Sequence, residues 1–230
     1  MKRIALATLS VALVGSLLHA QQAPPAPQTS PGQQMQKPAQ APRLPASPPG
    51  QSATQVGGKW ATPPGSDEAT YTGGKWIVVD YGRPILRGRK NIFGSGADYG
   101  KMVNSGAPVW RAGANVTTRL RTEVPLVFGD KTLPAGEYSV FVDLKPAAWT
   151  LIVSNQPYQR KYDPANKTDT WGSFNYDPKF DLLRVPMRLA SATPSLEQFA
   201  IEFASMTDQG GTLVMRWDAT VASVPFKVGQ

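Results

Sequence analysis

Cysteine is absent and histidine occurs once, at His19. His19 falls in a segment with the form of a secretory leader, so the processed chain has neither imidazole nor thiol. That excludes Ser-His-Asp and Cys-His nucleophile systems, zinc held by His or Cys, haem and iron–sulfur clusters. No cofactor and no metal site is therefore expected. Without disulfides, stability has to come from a packed core. Long apolar runs are also missing. The most apolar stretch, Ile4 to Leu18, is diluted by Thr8, Ser10, Gly15 and Ser16, and it falls short of the roughly twenty residues that a bilayer-spanning helix needs. Cationic runs are short too, none longer than Arg87-Gly88-Arg89-Lys90. With no nucleic-acid module signature, this argues against a nucleic-acid partner.

What is present begins with an address. Met1-Lys2-Arg3 is a basic start, the apolar run follows, and Leu18-His19-Ala20 precedes Gln21. This order is that of a signal peptide spanning residues 1–20, with cleavage after Ala20. The expected location is the periplasm or the extracellular space, with no transmembrane segment in the mature chain. Removing Lys2 and Arg3 with the leader leaves an excess of six positive charges. Such an excess suits an anionic envelope polymer or a glycan as partner, and equally an ordinary soluble surface.

Residues 21–65 carry half of the chain's 22 prolines together with Gln, Ala and Ser, a composition that reads as a disordered, partly polyproline tail. It contains a short repeat. Ala53-Thr-Gln-Val-Gly-Gly-Lys-Trp60 recurs as Ala69-Thr-Tyr-Thr-Gly-Gly-Lys-Trp76. Only the second copy runs on into a strand-like segment, Trp76-Ile-Val-Val-Asp-Tyr81. The first copy is thus expected to be a redundant leader, dispensable for stability, with the folded domain spanning 66–230.

From residue 66 onward, apolar residues alternate with polar ones at period two. Thr118, Leu120, Thr122, Val124, Leu126 and Phe128 share one face, while Arg119, Arg121 and Glu123 share the other. The pattern recurs in Tyr138/Val140/Val142/Leu144, Trp149/Leu151/Val153, Leu183/Val185/Met187/Leu189, Phe199/Ile201/Phe203, Leu213/Met215/Trp217 and Val224/Phe226/Val228. Turn residues separate the runs, and no segment has helical periodicity. The expected fold is all-β: an antiparallel, jelly-roll-like β-sandwich of eight to ten strands, because half-wet sheets must pair to bury their apolar sides.

Three blocks break the alternation. They are Asp80-Tyr81-Gly82-Arg83-Pro84 with Arg87-Gly88-Arg89-Lys90-Asn91-Ile92-Phe93-Gly94, then Trp110-Arg111-Ala112-Gly113-Ala114-Asn115, then Trp171-Gly172-Ser173-Phe174-Asn175-Tyr176 followed by Asp181 and Arg184. With Lys131-Thr-Leu-Pro-Ala-Gly-Glu-Tyr138 between the last two, residues 66–229 resemble a bacterial exported family known as domain of unknown function 2911. The resemblance implies an exported β-rich domain without an assigned activity. In the commoner family pattern Tyr-Gly-Lys runs almost directly into Val-Trp-Arg, whereas here Met102 to Pro108 intervene.

Candidate ligand-binding residues are Arg83, Arg87, Trp110, Arg111, Asn115, Asp181 and Arg184. Arg111 and Asn115 flank Gly113, where backbone can approach a ligand, and are expected to share a polar cluster with Arg83 or Asp181. The same residues would serve equally as a structural ion pair and a turn. Arg83, Arg87 and Arg89 form either an anion loop or a solvated basic one, and Asp181 and Arg184 most simply pair with each other. Trp171, Phe174 and Tyr176 are either a sugar-stacking platform or core. Asp163, Asn166 and Asp169 offer only a weak calcium-like spacing.

Three functions fit: a non-enzymatic binding or envelope-associated module, a carboxylate-based glycan-active enzyme, or a structural partner in an envelope assembly. The enzyme would need two acids about 5–10 Å apart, and no motif marks such a pair. The binding module leads, on the expected sandwich architecture, the exported address and the loss of histidine and cysteine.

Overall fold

A computed structural model describes residues 46–229. The signal-peptide expectation and the stretch up to residue 45 lie outside these residues. Within them the chain is built from antiparallel strands, in chain order β1 (Pro49–Val56), β2 (Lys59–Ala61), β3 (Thr70–Thr72), β4 (Lys75–Gly82), β5 (Thr118–Thr122), β6 (Leu126–Phe128), β7 (Lys131–Leu133), β8 (Gly136–Asp143), β9 (Thr150–Ser154), β10 (Asp181–Pro186), β11 (Arg188–Thr207) and β12 (Gly210–Val228). They form a six-stranded sheet in the order β1-β4-β5-β8-β9-β10, a four-stranded sheet in the order β11-β12-β6-β7, and a small β2-β3 ribbon. The period-two pattern accounts for this arrangement. Val79, Leu120, Val140 and Leu151 of the first sheet and Phe199, Met215, Val224 and Phe226 of the second belong to one buried cluster, as expected of a sandwich.

The centre of that cluster is aromatic. Phe93, Trp110, Trp149, Phe199 and Trp217 meet mainly edge to face, with ring centroids 4.6 to 6.4 Å apart. Each buried indole N–H finds an acceptor: Trp110 Nε1 donates to the Gly113 carbonyl at 3.2 Å, Trp149 Nε1 to the Tyr99 hydroxyl at 2.6 Å and Trp217 Nε1 to the Glu197 carbonyl at 3.4 Å. Indole can be buried here because its one polar atom is paired.

Two expectations about organisation need correction. Leu183 to Leu189 is not one strand. Pro186 ends β10 and the chain changes sheets at once, with the Met187 amide donating to the Trp149 carbonyl as it leaves. Proline has no amide N–H to continue the ladder.

The second correction concerns the duplicated segment. The first copy is no loose leader, because it supplies β1, which pairs with β4 over eight residues from Pro49↔Gly82 to Val56↔Lys75. The two copies pair reciprocally. The strand before the Gly-Gly of copy one (β1) lies beside the strand after the Gly-Gly of copy two (β4), and β2 lies beside β3. The crossing needs glycine. A side chain at Gly58 would strike the Tyr71 ring and the Gly74 amide, and one at Gly74 would strike the same ring. Val56 is almost fully buried at the end of β1, so the ordered domain starts well before Ser66.

Candidate binding face

Cross-strand partners share a face of a sheet, and one row of partners runs across all six strands of the larger sheet. It reads Gln51, Asp80, Arg119, Ser139, Ser154, Asp181. The next row reads Ala53, Val78, Arg121, Glu137. Both rows lie on the face turned away from the sandwich core, and that face is divided in two.

Over β8 to β10 it is roofed by residues 155–180, which connect β9 to β10. Ser139 Oγ donates to the Gln156 carbonyl at 3.0 Å, Ser154 Oγ to the Phe180 carbonyl at 3.2 Å and Thr117 Oγ1 to the Gly172 carbonyl at 3.0 Å. Tyr176 packs on Val109, Phe141 and Ile152. The roof hangs on two buried glutamines. Gln156 donates to the carbonyls of Thr168 and Asn175 and accepts from the Asp177 amide. Gln159 donates to the carbonyls of Asn166 and Asp169 and accepts from the Asp163 amide.

Over β1, β4 and β5 the face is open. Two adjoining hollows of about 640 and 580 Å³ share Arg121 and Glu137, making one groove from Trp76 to the edge of the roof at Tyr158 and Arg160. Its floor is a polar lattice. Arg121 Nε and Nη2 both reach Asp80 Oδ2, at 3.3 and 2.9 Å, while Gln51 Nε2 donates to Asp80 Oδ1 at 2.6 Å. Arg119 Nε and Nη2 both lie 3.3 Å from Glu137 Oε1, and its Nη1 donates to Ser139 Oγ at 2.6 Å.

The Arg119 guanidinium lies 3.9 Å from the centre of the Tyr158 ring. Burial presses its pKa below the ordinary arginine value, with Glu137 acting in the opposite sense. At the far end Trp76 is nearly half exposed; its amide donates to Glu123 Oε2 at 2.8 Å. Acids and bases therefore alternate on the groove floor, where Arg119 and Arg121 are engaged by neighbouring acids, while Arg160 at the edge of the roof has no carboxylate partner among the described residues.

The candidates read from the sequence fall elsewhere. Trp110 is core, 1% exposed. Arg111 Nη1 donates to the Asn115 carbonyl at 3.2 Å, and Asn115 Nδ2 donates to the Ser47 carbonyl at 3.1 Å. These two residues, with Arg89, line a small hollow of about 250 Å³. The expected link to Arg83 or Asp181 is not made: among the described residues no hydrogen bond joins them. Burial lowers the pKa of Arg111, which has no carboxylate partner among the described residues.

Arg83 lies along Gly50, with Nε donating to the Phe199 carbonyl at 3.2 Å. The Arg87 side chain is exposed, and its backbone amide donates to Glu197 Oε1 at 2.7 Å. Asp181 and Arg184 do pair, at 2.9 Å, in a cluster with Asp143 and Tyr176. Burial pulls the Arg184 pKa down, but Asp181, Tyr176 and Asp143 together raise it.

The groove residues had only partial signals. Arg119 and Arg121 stood out as charges opposite an apolar face, but nothing in the spacing tied them to Asp80 and Glu137. Tyr158 carried no signal. Among the described residues no group of three or more His, Cys, Asp or Glu is placed to hold a metal ion, and no helix is long and apolar enough to cross a membrane.

The profile of a family described as "Protein of unknown function (DUF2911)" matches residues 63–226. The chain belongs to this family. No curated protein and no solved structure matches it. In this DUF2911 domain the three blocks that interrupt the strand pattern meet in space. Gly82 leaves room for the Ala114 carbonyl, and Gly172 leaves room for the Arg111 guanidinium. Substituting either glycine would place a Cβ against those atoms, so the blocks belong to the packing of the domain. β1, which contributes Gln51 and Ala53 to the groove, lies ahead of the family match.

Proposed function

We propose that this protein is a non-catalytic binding module that takes an extended polar polymer, a glycan of the cell envelope, along the open half of the six-stranded sheet. The observation that carries this reading is the continuous groove from Trp76 to Tyr158. Its floor of mutually paired Arg121–Asp80 and Arg119–Glu137 offers donors and acceptors side by side, and aromatic rings stand at both ends. Because the two floor cations are matched by acids and only Arg160 at the rim is not, a polymer with many hydroxyl groups suits the groove better than a polyanion, which would need uncompensated positive charge along its length. Edge rings and prepositioned polar groups are what an extended sugar chain requires of a protein surface. The basic and apolar start of the chain supports export to the periplasm or beyond.

The test is co-sedimentation of the purified protein with insoluble glycans, namely peptidoglycan sacculi, chitin and cellulose. At least one should be bound, with Arg121→Ala and Trp76→Ala each weakening binding about tenfold or more; Arg121→Ala should leave stability nearly unchanged, since the Arg121–Asp80 pair is half exposed and worth about 0–1 kcal/mol. Binding to none of them, or equal binding by the variants, would overturn the reading. The carboxylate-enzyme alternative would use Asp80 and Glu137, which share the groove. Against it, each acid is held by a guanidinium, whereas a general acid needs an apolar setting that keeps it protonated. Release of soluble sugar fragments, abolished by Glu137→Gln, would favour the enzyme instead.

A further inference from the structure

The roof over β8 to β10 is longer than a connection between adjacent antiparallel strands needs, because hairpin loops usually take about 2–5 residues. Long ordered connections of this kind usually carry function. Its backbone is clamped from below by Gln156 and Gln159 and laced from within. Asn166 Oδ1 accepts from the amides of Thr168 and Asp169, and Asn175 Nδ2 donates to the carbonyls of Asn166 and Asp169. On this rigid base stand Tyr162, 57% exposed, Phe174, 43% exposed, and the half-buried Trp171. They surround a hollow of about 350 Å³ that is also lined by Asp163, Lys167 and Asn175. The Tyr162 and Trp171 rings lie 5.7 Å apart at 49°, and Arg111 backs Phe174 with its guanidinium 5.6 Å from the ring centre.

We propose that this aromatic cup is a second, separate binding site, and that it takes one pyranose ring of a neutral saccharide. The proposal rests on the reading of the chain as a glycan-binding module and names the ligand class more narrowly. Three observations choose the occupant. The volume lies at the low end of the roughly 300–1,000 Å³ usual for small-ligand pockets, which suits one ring and not a polymer segment. The rings offer apolar faces to the C–H face of a sugar, while Asp163, Asn175 and Lys167 line the same hollow, and their Oδ2, Oδ1 and Nζ have no hydrogen-bond partner among the described residues, which leaves them free for hydroxyl groups. Asp163 and Lys167 offset each other within the lining, and the Arg111 guanidinium backs Phe174 and does not line the hollow, so the hollow presents no excess positive charge to a phosphate or sulfate. A proline-rich peptide is disfavoured because polyproline recognition uses an elongated groove between aromatic ridges, whereas this cup is compact.

The test is a titration of the whole protein with cellobiose, maltose and N,N′-diacetylchitobiose, followed by tryptophan fluorescence and by amide chemical shifts of residues 155–180. At least one sugar should saturate, with shifts confined to those residues. Tyr162→Ala and Trp171→Ala should each weaken it tenfold or more, while Arg121→Ala and Trp76→Ala leave it unchanged. Tyr162 is more than half exposed, so its removal leaves the fold intact. Three results would overturn the proposal: no saturable binding, binding indifferent to both cup variants, or uptake of a synthetic proline-rich peptide in place of sugar. Sugar binding lost only in Trp76→Ala would sink the cup and leave the groove reading standing. Loss of polymer binding in the groove variants with intact cup binding would leave both standing as separate sites.

Discussion

At the scale of single residues, the side chains that organise this protein are amides and glycines more than charges. Gln156 is 1% exposed and uses its amide three times. Gln156→Leu fills the same space but strands two carbonyls and an amide N–H under the roof. Such groups cost about 1–3 kcal/mol each when left unpaired in the interior, less whatever relaxation restores. The expected loss is on the order of 3 kcal/mol, read as a lower urea midpoint, and a change below about 1 kcal/mol would refute it. The contrast with Arg121→Ala follows from solvent: water replaces a partner on the open face and cannot do so beneath the roof. Gln156 was invisible as a key residue in the sequence, since a glutamine beside a proline reads as ordinary loop.

At the scale of elements, β1 is the most informative strand. Its residues alternate weakly, and its sequence, Pro-Gly-Gln-Ser-Ala-Thr-Gln-Val, has a single large apolar side chain. Local propensity therefore gives no reason to expect a strand. What makes it one is the free edge of β4, whose backbone groups need partners. A chain beginning at Ala61 loses the β1 ladder and the burial of Val56, which alone is worth about 1.5–3 kcal/mol. Its thermal midpoint should fall by at least about 3 °C, given roughly 2–4 °C per kcal/mol for a domain of this size. An unchanged midpoint would show that β1 adds nothing. The same truncation removes Gln51 from Asp80, so the groove should bind less well even at temperatures where the domain stays folded.

At the scale of the whole molecule, the alkaline limit of stability is set in part by tyrosine. Burial, with the Asp181 carboxylate 2.6 Å from its hydroxyl, raises the Tyr176 pKa well above its ordinary value, and burial also raises that of Tyr138. Unfolded tyrosine titrates near about 10. Both groups thus hold their protons more tightly in the folded state. Their contribution is complete below about pH 10 and is lost as the pH climbs from there toward the folded values. The thermal midpoint should decline above about pH 10, and less steeply in Tyr176→Phe. Parallel profiles for the two proteins would refute the assignment.

Sequence alone determined the all-β class and the sandwich, because alternation is a local property of the chain, and the absence of cysteine excluded thiolate chemistry. It also marked Arg119 and Arg121 as outward-facing, and the three glycine-rich blocks as departures from the strand pattern. Tertiary structure decided the rest. Which charges meet across strands depends on register between segments far apart in sequence: Asp80 with Arg121, and Arg119 with Glu137. Likewise Trp110 belongs to the core because its bridge to Val142 sets it beside β8 facing the other sheet, whereas Phe174 stands at the surface because the loop between β9 and β10 folds back over the opposite face. An aromatic residue carries no local mark of which side of a sheet its loop will cover.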